Sequence, residues 1–170
     1  MVNWFMPTAP DGRLIPKFLD TVDRIGDQLG LNVPPIADLD ALRHLPPGTL
    51  GRTLADGLDQ AQLAPFTTGP RRKQLHDAVH VLTGYSTDPI GEAEVQAFLL
   101  GAKFHPAHIL LGLGILHLLR HQAELSAAII WTRLGQAYQR GLASHFDVDR
   151  WHPETQWHLP LAEVQALYRI

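Results

Sequence analysis

Apolar residues at Ile15, Phe18, Leu19, Val22, Ile25 and Leu29 recur at intervals of three and four, and Pro16 and Gly30 bracket them, so the pattern predicts an amphipathic helix over residues 15–29. Val33-Pro34-Pro35 breaks the chain. Asp38 caps a short turn to Leu45, and Pro46-Pro47-Gly48 interrupts again before a helix from about Thr49 to Leu63. Pro65 to Gly69 introduces a further helix with Leu75, Ala78, Val79 and Leu82 as its apolar stripe and Gly84 as its stop. Thr87-Asp88-Pro89 then supplies an N-cap and a proline at the first position of a returning helix. From Ser126 to Ala143, Ile129, Ile130, Arg133, Leu134, Ala137, Tyr138 and Leu142 keep helical spacing, and most of that helix reads as core. No stretch of useful length alternates as a strand would, and neither repeats nor low-complexity tracts occur. These patterns predict an all-α fold, a single-domain helical bundle over residues 1–170.

Phe104 to Leu119 departs from this amphipathic habit, with sixteen residues and no formal charge. A membrane span needs about 20 predominantly apolar residues, whereas His105, Pro106, His108 and His117 interrupt this one, so it is not read as transmembrane. A helix apolar on every face is expected at the centre of the core; alternatively, Gly112 and Gly114 let a lipid tail approach the backbone and form a prenyl groove. In the tail, Trp151, Trp157 and His158 read as anchors of the terminal segment, with a membrane interface as the alternative.

The 170-residue length suits one domain with a full core, and 45% hydrophobic content agrees. A net charge of −3, with no basic run beyond Arg71-Arg72-Lys73, argues against nucleic acid as a partner. The absence of cysteine excludes disulfides and thiolate ligands. Met1 to Met6 lacks the basic start and apolar run of a signal peptide, so a cytoplasmic protein is expected.

Four side chains carry the chemistry. His76 and His80 lie four residues apart and share one helix face; Asp77 falls within roughly a 100° arc of both. After eleven intervening residues comes Glu92, in the first turn of the returning helix, where the helix dipole favours a carboxylate and a short αα-hairpin can turn it toward the imidazoles. Two imidazoles and two carboxylates suit zinc, iron or manganese. Asp77 is either a direct ligand or the group that orients His76, which would leave open positions on the metal. A second pair, His117 and His121, has only Glu124 near its face and reads as helix surface.

The string from Arg72 to Gly84, continuing to Gly91-Glu92, Val95 and Phe98, resembles the coenzyme Q biosynthesis protein number four family, whose hallmark H-D-x-x-H, eleven residues, E is met at His76, Asp77, His80 and Glu92. Leu45-Pro46-Pro47-Gly48-Thr49-Leu50-Gly51 and the tail from Trp157 through Pro160-Leu161 and Val164 extend the likeness more weakly. The resemblance implies an all-helical, peripherally membrane-associated protein of ubiquinone biosynthesis that binds a metal, usually zinc, through those four residues. It implies a prenylated quinone precursor or prenyl lipid and other quinone-biosynthesis proteins as partners, and leaves a homodimer open. Two roles follow: oxidative decarboxylation at C1 of a polyprenyl-benzoate head group, or a non-enzymatic lipid-binding scaffold. Against that family, no presequence of the eukaryotic kind is expected here, and the linking turn at Tyr85 to Ile90 is the chain's own. A third reading, a zinc hydrolase related to H-E-x-x-H, would make Asp77 the general base, one methylene shorter than glutamate.

Overall fold

Thr49 starts its helix by accepting the Arg52 N–H on Oγ1 at 3.3 Å, and Gln62 ends it in the left-handed conformation, so α2 spans Leu50–Ala61 as the periodicity predicts. The coordinates are a computed structural model that describes residues 23–24, 26–105, 108–109, 112–114 and 126–170. Before α2 comes α1, Leu39–Arg43, capped by Asp38; after it come α3 (Arg71–Gln74), α4 (His76–Thr83), α5 (Pro89–Ala102), α6 (Ala127–Ala143) and α7 (Leu161–Tyr168), with a 3-10 turn at Pro153–Thr155. Among the described residues there is no strand; the extended contacts are isolated bridges, Asn32 to Pro70 and Thr49 to Pro160. The fold is all-α.

Of the 15–29 span, residues 23–24 and 26–28 are helical and Gly30 sits at φ +65; the rest lies outside the described residues, except Leu29, which is exposed. The helix expected after Gly69 divides at Leu75 into α3 and α4, yet Leu75 N–H to Arg71 C=O (3.0 Å) and Val79 N–H to Leu75 C=O (2.9 Å) carry the hydrogen-bond ladder across the joint. One helical path therefore holds Arg72, His76 and His80 in line, one turn apart.

The core gathers Leu50, Leu54, Leu58, Leu75, Val79, Leu82, Val95, Phe98, Phe146 and Trp151 between α2, α4, α5 and the C-terminal segment. Burying one such side chain stabilises the fold by roughly 1.5–3 kcal/mol. The tail belongs to this core. Carbonyls of Trp157 and Leu159 accept the otherwise unpartnered N–H groups of Gly51 and Leu50 at the start of α2, both at 2.9 Å. Trp151, 1% exposed, stacks on Phe146 and donates Nε1–H to Gln156 at 3.0 Å. The tail tryptophans thus anchor the segment, as the first of the two readings expects.

Helix α6 lies along α5 in the most extensive helix–helix contact among the described residues. Gly101 meets the Tyr138 carbonyl and Gly141 the Phe98 carbonyl at distances that leave no room for a Cβ. Two expectations fail on this side. Helix α6 buries only Leu134, Ala137 and Gly141, while Ile129 (47%), Trp131 (63%) and Leu142 (53%) stay exposed. The close α5–α6 approach gives α6 one narrow contact stripe, and its other apolar positions point elsewhere. Phe104, Ile109 and Leu113 are likewise exposed, so the described part of 104–119 is not a central core helix. The rest of that stretch, with His117 and His121, lies outside the described residues.

Candidate metal centre

Gly84 stops α4 at φ +81, and Asp88 opens α5 by accepting the N–H groups of Ile90 (2.9 Å) and Gly91 (2.8 Å) on Oδ1, with Pro89 in the first turn. Position 91 has to be glycine, because any Cβ there would collide with the Ser86 carbonyl of the turn. This tight reversal places Glu92 opposite the histidine face. Glu92 Oε2 lies 3.1 Å from His76 Nε2 and Oε1 lies 3.2 Å from His80 Nε2. One ligand atom from each of His76, His80 and Glu92 falls within 4.8 Å of the others.

Their surroundings differ. His80 is fully buried, and its Nδ1–H donates to the Tyr85 carbonyl at 3.1 Å, so in the neutral ring it is Nε2 that carries the lone pair. That buried Nε2 has no hydrogen-bond partner, although a carboxylate oxygen is close. Two electron pairs turned toward each other in a dry site suit a shared cation. His76 is about one-third exposed and leaves the centre its open side. Asp77 approaches His76 from the far edge, Oδ1 to Nδ1 at 3.2 Å, and is not in the three-residue cluster; its position is that of an orienting carboxylate.

Without a cation the same groups form an ion pair. Burial would lower the His76 pKa, but hydrogen bonds to Asp77 and Glu92 outweigh it and raise the value to about 10. Burial would raise that of Glu92, and the two imidazoles bring it down to about 2. The donor set therefore fits a divalent ion that competes with one proton on His76.

The end of α4 is held from two directions. Arg140 of α6 donates to the Thr83 carbonyl at 2.6 Å and lies over the Tyr85 ring, 5.3 Å from its centroid; Gln165 of α7 donates to the Leu82 carbonyl at 2.9 Å. These bonds satisfy carbonyls that the helix end leaves unpartnered and hold the turn that carries the Tyr85 carbonyl.

One helical turn from the metal cluster is a second polar layer that periodicity did not mark. Arg72 precedes His76 by four residues and Gln96 follows Glu92 by four, and buried His108 sits between them. His108 Nε2 is 2.9 Å from Arg72 Nη1 and Nδ1 is 2.9 Å from Gln96 Oε1. Burial, reinforced by the Arg72 charge, lowers the His108 pKa to about 4 and keeps the ring neutral. Beyond this layer opens an apolar cavity of about 350 Å³ between α5, α6 and residues 108–109 and 112–113, lined among others by Ala93, Leu100, Gly112 and Trp131. The i, i+4 relation to the metal residues was the available signal for Arg72 and Gln96; nothing local pointed to His108.

No family model matches the chain. It is 32% identical over 96 residues to the mitochondrial ubiquinone biosynthesis protein COQ4 homologue of Xenopus laevis, covering 42% of this chain and 34% of that protein. To the human counterpart it is 33% identical over 96 residues, covering 42% and 36%. To the ubiquinone biosynthesis protein coq-4 of Neurospora crassa it is 35% identical over 107 residues, covering 55% and 28%. The matches thus span about a third of the length of these curated relatives. A crystal structure of a Nostoc punctiforme protein described as a ubiquinone biosynthesis protein superposes with a TM-score of 0.68 at 20% identity, covering 92% of this chain and 81% of that one; at that identity the likeness is one of fold. The resemblance to this ubiquinone biosynthesis family holds in these comparisons.

Proposed function

We propose that this protein acts in ubiquinone biosynthesis, holding a divalent metal between His76, His80 and Glu92 and a prenylated aromatic intermediate in the adjoining apolar cavity. The observation that carries the metal assignment is the fully buried His80 Nε2, unpartnered and 3.2 Å from a carboxylate oxygen. The relatives named for ubiquinone biosynthesis supply the pathway. When bound, such a metal supplies a Lewis acid that stabilises negative charge developing on a ring oxygen. The residues of the chain do the rest. The Tyr85 carbonyl sets the His80 tautomer, Asp77 orients His76, and the exposed side of His76 is where a head group enters. Leu100, Leu113 and Trp131 offer an apolar wall to the tail.

On this reading the reaction is decarboxylation at C1 of a polyprenyl-benzoate, with oxidation at the same carbon drawing on an external oxidant. Zinc, the usual metal of the resembling family, has no accessible redox change, so the oxidative step favours iron. The second reading is a non-enzymatic scaffold that presents prenylated intermediates to partner enzymes or rests on a membrane surface. The exposed Phe104, Leu113 and Trp131 favour it, being apolar side chains that a partner or lipid would cover. Among the described residues no helix is long and apolar enough to cross a membrane. The hydrolase reading has less support, because Asp77 is engaged at the far edge of His76 rather than facing the cluster.

Elemental analysis of the purified protein, combined with mass spectrometry of co-purified lipid, tests the proposal. Stoichiometric metal lost in His76→Ala and Glu92→Ala, together with a prenylated ligand, is the expected result. Unchanged metal content in both variants would overturn the site. Metal-free variants that still sustain quinone production in a deficient strain would favour the scaffold.

A further inference from the structure

The polar layer beside the metal cluster contributes one amide, that of Gln96, to the lining of the apolar cavity. Arg72 has only N–H groups to offer, so His108 Nε2, 2.9 Å from Nη1, must accept. The neutral His108 ring then carries its proton on Nδ1 and donates it to Gln96, so the Gln96 atom 2.9 Å away must be the carbonyl oxygen. The amide NH2 is consequently turned the other way. Gln96 is 7% exposed, lines the cavity, and its Nε2 donates to nothing among the described residues. Asp149 locks the arrangement from behind by taking Arg72 Nε and Nη2 at 2.5 and 2.7 Å, which also cancels the Arg72 charge. With His108 neutral, no formally charged side chain lines the cavity among the described residues.

We infer that Gln96 is a specificity-determining hydrogen-bond donor for a neutral acceptor oxygen, a ring carbonyl or ether, on an otherwise apolar ligand of the cavity. This deepens the proposed function and rests on its reading of the cavity as the lipid site. The Gln96 amide, on a residue that is otherwise mostly buried, offers its N–H to an acceptor oxygen that enters the cavity. Lacking a net positive charge, the layer does not select phosphate or carboxylate. Gln96 stands one helical turn from Glu92 on α5, and Leu113 and Trp131 line the same cavity as Gln96 and offer apolar surface to a tail.

Titration calorimetry with three probes of equal chain length tests this: decyl para-benzoquinone, decylbenzene and decyl phosphate. The wild-type protein should bind the quinone most tightly. Gln96→Met, which keeps the volume and removes the amide, should weaken quinone binding about fivefold to tenfold while decylbenzene changes by less than about twofold. Arg72→Met should lose the same selectivity, and nitrogen chemical shifts should show His108 leaving the Nδ1-protonated tautomer, which a merely structural role for Arg72 would not require. Equal weakening of quinone and decylbenzene, no change in quinone binding, or preference for decyl phosphate would overturn the inference and leave the cavity reading intact. Failure of every probe to bind the wild-type protein would overturn both.

Discussion

His80 turns Nδ1 to the Tyr85 carbonyl, 3.1 Å away, and this one bond leaves its buried Nε2 lone pair facing the other members of the metal cluster. Filling that position should stabilise the fold, because a metal that binds only the native state adds its binding energy to folding. At a free zinc concentration of about 100 times Kd the gain is roughly 2.7 kcal/mol, visible as a rise in Tm by differential scanning calorimetry. In His80→Ala the rise should vanish; an undiminished shift would place the ion elsewhere.

Proton and metal compete at His76. Its folded-state pKa of about 10 lies above the ordinary 6.5, so in the metal-free protein its stabilising contribution is complete below pH 6.5 and is lost as pH rises through 10. Glu92, lowered from 4.5 to about 2, contributes fully above 4.5 and loses its contribution as pH falls through 2. The metal-free protein should therefore show a higher urea midpoint at about pH 6 than at about pH 9. Zinc affinity should run the other way and rise with pH over the same interval. Glu92→Gln should flatten the urea difference, and an unchanged slope would remove the ion pair as its cause.

Arg140 acts on the centre from a distance. Its bond to the Thr83 carbonyl and its place over Tyr85 hold the turn that orients His80. Arg140→Met keeps the aliphatic contact and removes the donor, which should cost about 1–3 kcal/mol of stability and weaken zinc binding by about tenfold. Competitive titration with a chromogenic chelator reads the second effect, and Arg140→Lys should recover part of it.

Gly101 and Gly141 set the distance between α5 and α6, each touching a backbone carbonyl of the other helix. A methyl group at either must push the helices apart, so Gly101→Ala and Gly141→Ala should each destabilise by about 1–3 kcal/mol in denaturant titrations. Gly135→Ala, where nothing stands near the added carbon, should be neutral or mildly stabilising and serves as the control.

Much of the metal centre was legible in the chain because its geometry is local. Asp88, Pro89 and Gly84 set the hairpin through capping bonds and backbone preferences within a few residues, and helical spacing then brings His76, His80 and Glu92 together. Periodicity likewise gave α2 and the limits of α6. It misjudged which faces are covered, since spacing tells which residues share a face and not what lies against it. Ile129 and Leu142 keep helical register on α6 and are still exposed.

The sequence alone determined the helical class, the hairpin and the three side chains that cluster on it, all consequences of rules acting over one or two turns. Only the tertiary structure decided that Asp77 meets His76 at the edge away from Glu92, that Trp151 lies in the core, and that Arg72 reaches across 36 and 77 residues to His108 and Asp149. Those partners meet because burial leaves each polar atom needing a counterpart, and a folded chain supplies it from wherever packing has brought one.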